Sequence, residues 1–151
     1  MAVREIRIYG DPVLRQKAEP IGEIDDDLRE VVRDMLDTLG DAAGVGLAGP
    51  QVGELRRVIV VHPPPPQEGE VREDPQVLLN PEVVERSGPG VAAEEGCLSL
   101  PGLYETVKRP DRVRVRASSL DGEELDLRAE GMFSRILQHE IDHLDGVLFI
   151  D

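Results

Sequence analysis

The amino-acid sequence predicts an α+β fold, in which antiparallel or mixed β-sheets pack around a C-terminal helix and a further helix lies near the N-terminus. Apolar residues recur three and four positions apart over 25–39 and again from about 129 to 144, as on one face of a helix. Charged and apolar residues alternate over 112–119, as in a half-exposed strand. A length of 151 residues suits one compact domain, residues 1–151.

The N-terminal helix is expected over residues 25–39, because an acidic first turn at 25–27 precedes its apolar face. That face comprises Leu28, Val32, Met35, Leu36 and Leu39. The next segment, DAAGVGLAGPQVG (41–53), is too rich in glycine for a regular element and is expected to be a loop with tight backbone geometry. RRVIVV (56–61) is predicted to be a buried strand.

Residues 62–75, HPPPPQEGEVREDP, show no apolar periodicity and predict a surface loop that starts in polyproline II geometry. Two stretches, QVLLNPEVVE (76–85) and LYETVKR (103–109), are expected to be extended. RVRVRASS (112–119) and EELDLRAE (123–130) flank the dipeptide Asp121-Gly122, which favours a tight turn. These two strands are therefore predicted to pair as a hairpin.

The charge and composition exclude several classes of function. The formal net charge of −14 repels phosphate backbones and anionic lipids, so we expect neither nucleic-acid nor membrane binding. No run of about 18 apolar residues is present, and Arg4, Glu5 and Arg7 interrupt any signal-peptide stretch, which favours a cytoplasmic protein. The single cysteine, Cys97, cannot form an internal disulfide.

The segment LQHEIDHLDG (137–146) predicts a metal site on the C-terminal helix. His139 and His143 are four residues apart, so they lie on one face, and Glu140 lies beside them within reach of a water on the same ion. The alternative is that both histidines are surface or core residues and that Glu140 only solvates the helix. The third histidine, His62, has no partner at a useful spacing and is expected at the surface.

A metal ion that keeps a position open for water needs at least three protein ligands. Only eight residues follow His143, and the acidic ones among them are poorly placed, so the third ligand must come from upstream. Cys97, in EEGCLSLPG, is the obvious candidate, although a lone cysteine can also be a packing residue. One thiolate and two imidazoles suit Fe(II), Zn(II), Co(II) or Ni(II) better than Mg(II) or Ca(II).

Three segments together resemble the signature motifs of the peptide deformylases: GVGLAGPQVG (44–53), EGCLSLPG (95–102) and QHEIDHLDG (138–146). YGDPVLRQKAEPI (9–21) is similar to the usual opening of that family. The resemblance implies a metal-dependent hydrolase that removes the formyl group from N-formylmethionyl nascent polypeptides and releases formate. It implies one divalent ion per chain, natively Fe(II), with Zn(II), Ni(II) or Co(II) in some preparations.

The resemblance also implies a role for each site residue. The ion would be bound by Cys97, His139 and His143, and Glu140 would be the general acid and base. The substrate carbonyl oxygen would be met by the Gln51 amide and the Leu98 backbone N–H, and the peptide by the Gly46 backbone. Val45, Met132 and Ile136 could line a methionine pocket, although helical periodicity alone makes the last two core residues.

Two carboxylates near the motifs are expected to be structural, namely Glu95 and Asp142, with Asp142 paired to an arginine such as Arg109. Many family members carry a basic tail beyond the position of Asp151, and this sequence has none there, so a transient ribosome contact is not expected to use that route. Two other functions stay open: an HExxH-type metallopeptidase, and a non-catalytic metal-binding module on the same fold. The presence of both Glu140 and Gln51 argues against the module.

Overall fold

The computed structural model describes residues 2–64 and 74–151. Within them the chain forms two α-helices, five β-strands and two short 3₁₀ helices. The elements are, in chain order, a 3₁₀ helix Pro12–Arg15, α1 Asp26–Asp41, β1 Gly46–Ala48, a 3₁₀ helix Gly49–Val52, β2 Val58–Val61, β3 Gln76–Cys97, β4 Leu100–Ser118, β5 Glu124–Glu130 and α2 Gly131–Leu144.

The strands form one antiparallel sheet in the order β1-β2-β3-β4-β5. Strands β3 and β4 make a long hairpin whose last pair is Cys97 with Leu100, so Cys97 lies at the tip beside a two-residue turn. The predicted α+β class is confirmed, as is the hairpin of β4 and β5. Among the described residues, neither helix combines the length and apolarity needed to cross a bilayer.

The core lies on both faces of strand β2, because its side chains alternate. Val58 and Val60 pack in a cluster with the apolar face of α1, and Ile59 and Val61 pack in a second cluster with that of α2. Helix α1 begins where the sequence predicts, since the Asp25 carboxylate accepts a hydrogen bond from the Leu28 N–H at 2.8 Å. The two helices are thereby fixed against opposite faces of the same short strand.

Four boundaries differ from the sequence predictions. Helix α1 continues to Asp41, and the predicted loop 41–53 is wrong for residues 46–52, which form β1 and a buried 3₁₀ helix. The extended stretch predicted at 76–85 continues to Cys97, and residues 103–109 and 112–118 of the next two predicted segments are parts of one strand, Leu100–Ser118. Long-range pairing between β3 and β4 explains both extensions, because a ladder continues through residues that carry no local strand signal. Of the predicted 62–75 loop, residues 65–73 lie outside the described part of the chain.

Candidate metal centre and active site

Three side chains from distant parts of the sequence meet at the tip of the β3–β4 hairpin. Cys97, His139 and His143 each offer a ligand atom, and these atoms lie within 4.8 Å of one another. The Cys97 Sγ is 3.3 Å from the His143 Nε2. Both histidines are on the inner face of α2, one turn apart, as their spacing predicts. The remaining histidine, His62, is half-buried rather than at the open surface, and it is not part of this cluster.

The environment of the cluster fits a transition-metal ion. Burial, together with the nearby positive charges of His139 and Arg109, lowers the pKa of His143 to about 3, so its imidazole is neutral and can donate a lone pair. The Nδ1 of His139 is 3.0 Å from the Glu95 carboxylate, which leaves the Nε2 for the cluster. Burial lowers the pKa of His139, but the neighbouring Glu140, Cys97 and Glu95 outweigh it and raise the pKa to about 10, so the surroundings of this ring favour a positive charge. A thiolate with two imidazoles is a donor set that Fe(II) and Zn(II) accept.

Glu140 lies beside the cluster in a setting suited to proton transfer. Its side chain is buried, and within the described part of the structure its Oε1 has no hydrogen-bond partner. Burial is the main reason that the pKa of Glu140 is raised, to about 7, and a group with such a pKa can both accept and return a proton near neutral pH. Gly46 leaves room for it: a Cβ added to Gly46 would lie 2.6 Å from the Glu140 Oε2. Only glycine leaves room there for the carboxylate.

Gln51 is held rigidly next to the hairpin tip. Its Oε1 accepts a hydrogen bond from the Ala48 N–H at 2.9 Å, and its Nε2 donates to the Ser99 Oγ at 3.1 Å. The same Nε2 is 3.5 Å from the Cys97 Sγ. The 3₁₀ helix that carries Gln51 is itself tightly packed, because a Cβ on Gly49 would lie 2.7 Å from the Glu54 carbonyl oxygen. The Gln51 amide is therefore directed at the sulfur side of the cluster.

A cleft of about 560 Å³ opens onto these groups. The residues that the sequence assigns to catalysis or to a substrate pocket all line it: Val45, Gly46, Gln51, Leu98, Met132, Ile136 and Glu140. Of the two α2 residues that could be core or pocket, Ile136 is buried and Met132 is 60% exposed at the cleft. The helix face that periodicity assigns to the core thus also provides the apolar wall of the cleft.

A buried ion network supports the cluster from behind. Glu95 accepts hydrogen bonds from Arg109 and Arg135, and Arg109 also donates to Asp142 at 3.0 Å, the pairing expected from the sequence. Arg135 further donates to the carbonyl oxygens of β3 and β4, so it ties α2 to the hairpin. Sequence reasoning missed Arg135, because an arginine on a helix carries no local signal of burial. The sequence feature that could have indicated it is Glu95, a carboxylate two residues before Cys97, which needs a cationic partner if it is buried.

Comparison with known proteins identifies the family. The sequence model of the polypeptide deformylases matches residues 3–151. This chain belongs to the peptide deformylase family. The peptide deformylase of Thermomicrobium roseum is 51% identical over 100% of this chain and 86% of its own length, and that of Alkalilimnicola ehrlichii is 47% identical over 100% and 82%.

Solved structures of peptide deformylases have the same fold. The enzyme from Thermotoga maritima superposes with a TM-score of 0.89 at 38% identity, covering 100% of this chain and 97% of that one. The enzyme from Ehrlichia chaffeensis gives a TM-score of 0.92 at 35% identity, covering 99% and 87%. Peptide deformylases are metalloenzymes, and the cluster of Cys97, His139 and His143 is where this member has suitable donors.

Replacing Glu95 by glutamine is expected to change the acid stability of the metal-free protein. Burial raises the pKa of Glu95, but hydrogen bonds from His139, Arg109 and Arg135 outweigh it and lower the pKa to about 2. A lowered pKa stabilises the fold above the unfolded value of about 4.5, and this contribution is lost as the pH falls towards 2. The difference in unfolding free energy between parent and Glu95→Gln, from urea titrations, should be about 2 kcal/mol smaller at pH 3 than at pH 6. Equal differences at both pH values would contradict the assigned role of the carboxylate.

Proposed function

We propose that this chain removes the formyl group from N-formylmethionyl nascent polypeptides in the cytoplasm, giving formate and a free N-terminal methionine, with residues 1–151 as a single catalytic domain. The observation that carries the proposal is the meeting of three metal-ligand atoms with a buried carboxylate, Glu140, at one cleft in a member of this family. Contact with the ribosome stays a prediction.

The proposed cofactor is one divalent ion held by Cys97, His139 and His143, with Fe(II) as the native metal and Zn(II), Ni(II) or Co(II) as substitutes. When bound, such an ion supplies Lewis acidity, lowering the pKa of water from 15.7 to roughly 7. Glu95 keeps His139 oriented for this role, since its carboxylate accepts a hydrogen bond from the His139 Nδ1–H. Arg109 and Arg135 hold Glu95 in turn.

Glu140 is proposed to transfer the proton. Its carboxylate takes a proton from the attacking water as the oxygen bonds to the formyl carbon, and it returns that proton to the departing amine nitrogen as the C–N bond breaks. The pKa of about 7 suits both steps. The carboxylate is buried beside the Gly46 backbone, where the absence of a side chain leaves space for it next to the cleft.

Negative charge that grows on the carbonyl oxygen needs hydrogen-bond donors. We assign this role to the Gln51 amide and the Leu98 backbone N–H, both of which line the cleft. One Nε2–H of Gln51 is used by Ser99, and the other faces the Cys97 sulfur, where a substrate oxygen would compete for it. The Gly46 backbone is proposed to bind the peptide. Loss of one such donor typically raises the barrier by about 3–4 kcal/mol.

Selection of methionine is assigned to the apolar wall of the cleft. Val45 lines it from the residue just before β1, and Met132 and Ile136 line it from α2. An unbranched thioether side chain can adapt to such a wall better than a branched or charged one. The proposed pocket therefore favours formylmethionine over other formylated residues.

Formate release tests the function directly. Metal-loaded protein is incubated with a formyl-Met-Ala-Ser peptide, and formate and the free peptide amine are both measured. Release of one formate per amine supports the proposal, and cleavage of an internal amide instead would support the metallopeptidase alternative. If the protein binds metal but neither releases formate nor cleaves an internal amide, the result would support the non-catalytic metal-binding module. The N-acetyl form of the same peptide is the matched control, because it differs only in the acyl group.

Substitution of Gly46 by alanine should separate metal binding from turnover. The added Cβ collides with the Glu140 carboxylate, which has to move, and displacement of a catalytic group by about 1 Å can cost about 100-fold in rate. The metal content should stay at the parent value, since Gly46 is not among the ligands. Gly40→Ala is the control, because a Cβ there meets nothing within 4 Å. Parent-level formate release by Gly46→Ala would show that the contact does not set the position of Glu140.

A further inference from the structure

The first residues of the chain run from α1 to the backbone of Gln51 and Ser99 as a strap, defined here as residues 2–9. The strap contains no helix or strand. It is anchored on α1, where the Ala2 N–H donates to the Asp34 carboxylate at 2.9 Å and the Arg4 N–H donates to the Thr38 hydroxyl at 2.8 Å. The 3₁₀ helix Pro12–Arg15, with Leu14 buried, fixes its other end. The strap is thus tethered on both sides of its exposed middle.

The middle of the strap donates hydrogen bonds to the two segments that carry the proposed hydrogen-bond donors for the substrate oxygen. These segments are called here the two loops: the Gln51 loop (49–53), which contains the second 3₁₀ helix, and the hairpin tip (97–100), which contains Leu98. The Arg7 N–H donates to the Gln51 carbonyl oxygen at 2.7 Å, and the Tyr9 N–H donates to the Ser99 carbonyl oxygen at 2.8 Å. Residues 7 and 9 are only two positions apart, so one short segment serves two acceptors that are 48 residues apart in sequence. Ser99 directly follows Leu98, the second proposed donor.

Apart from the strap, the two loops are joined through side chains, with Leu98 packed in the same apolar cluster as Val52. Gln51 and Cys97 are 46 residues apart in sequence. In the described sheet, β1 pairs with β2 whereas the hairpin tip pairs only within itself, so no ladder joins the two loops. The Gln51 Nε2 links them directly, through the Ser99 Oγ at 3.1 Å and the Cys97 Sγ at 3.5 Å. The strap adds one backbone hydrogen bond to each of them.

We propose that the strap is a positioning element for catalysis, which holds the Gln51 loop and the hairpin tip at the separation that lets both donors meet one substrate oxygen. This inference rests on the proposed function. It assigns Arg7 and Tyr9 as positioning residues that act through their backbone N–H groups. The Arg7 side chain also contributes, because its guanidinium lies against Gly53. This glycine follows the 3₁₀ helix Gly49–Val52 in a left-handed conformation with φ of 82°.

Proline at position 9 tests the role of the Tyr9 N–H without breaking the turn that contains it. The Asp11 N–H donates to the Ile8 carbonyl oxygen at 3.0 Å, and Gly10 has a φ of 107°, so Tyr9 occupies the first central position of a turn that accepts proline there. Tyr9→Pro removes one hydrogen bond and the ring, whereas the control Tyr9→Ala removes only the ring and its contact with Arg15. The difference between the two variants isolates the N–H.

We expect Tyr9→Pro to lower kcat for formyl-Met-Ala-Ser by about 10- to 100-fold, with KM and metal content near those of the parent. Tyr9→Ala should stay within about twofold of the parent, since it keeps the N–H. A merely structural strap would lower the melting temperature of Tyr9→Pro but leave kcat unchanged well below that temperature. Parent-level kcat in Tyr9→Pro would therefore overturn the proposal.

Amide hydrogen exchange gives a second readout that does not depend on activity. In Tyr9→Pro, peptides covering residues 97–100 and 49–53 should exchange at least several-fold faster than in the parent and in Tyr9→Ala, because the strap no longer restrains them. Unchanged exchange in both segments would overturn the proposal. If the parent releases no formate, the proposed function fails, and the exchange experiment still decides whether the strap holds the two loops together.

Discussion

Replacing Glu140 by glutamine is expected to reduce the rate of formate release by about 10²- to 10⁴-fold, the usual contribution of a general acid and base. Glutamine has nearly the same size, so the packing against Gly46 is kept, but its amide cannot take a proton from water. The variant should bind metal as the parent does, because Glu140 is not one of the three clustered donors. The measurements are formate release under saturating substrate and metal content by elemental analysis.

The matched control for this experiment is Asp142→Asn. Asp142 is a carboxylate two residues further along the same helix, and it faces Arg109 at 3.0 Å rather than the cleft. Its substitution should lower the rate far less than that of Glu140. If Glu140→Gln kept the rate of the parent, or if both variants lost activity equally, Glu140 would not be the proton carrier and the mechanism proposed above would be wrong.

Two of the three side chains in the candidate metal cluster can be placed together from the sequence, because their geometry follows from local rules. Two histidines four residues apart on a helix must share a face, whatever the rest of the fold does. Cys97 follows by a different route, since few residues remain after His143 to supply a third ligand. The helices and the hairpin of β4 and β5 are predicted for the same reason, as each depends on periodicity or on a two-residue turn signal.

The features that the sequence does not predict depend on contacts between distant residues. No local pattern indicates that Gly46 must admit the carboxylate of Glu140, because the two are 94 positions apart in the chain. The same holds for Arg135, whose burial is explained only by Glu95 and the carbonyl oxygens of the hairpin. The pairing of β1 with β2 overrides the high glycine content of the surrounding segment 41–53, which on propensity alone favours a loop.

The second large effect is expected from removing one proposed ligand. Cys97→Ala and His143→Ala should each lower the bound metal from about one ion per chain to a small fraction of that, since two donors from a single cluster are too few to retain a divalent ion. Formate release should fall in parallel. Metal content is measured on protein purified anaerobically, because an iron ion beside a cysteine thiolate is prone to oxidation.

His62→Ala provides the control for metal loss, since His62 is the remaining histidine and lies outside the cluster of described ligand atoms. It should keep both the metal and the activity of the parent. The melting temperature adds an independent test, because an ion that binds only the folded state raises it. Adding metal should therefore stabilise the parent and His62→Ala but not Cys97→Ala. Full metal content in Cys97→Ala would mean that the sulfur is a packing group, and the assignment of the three donors would have to be abandoned.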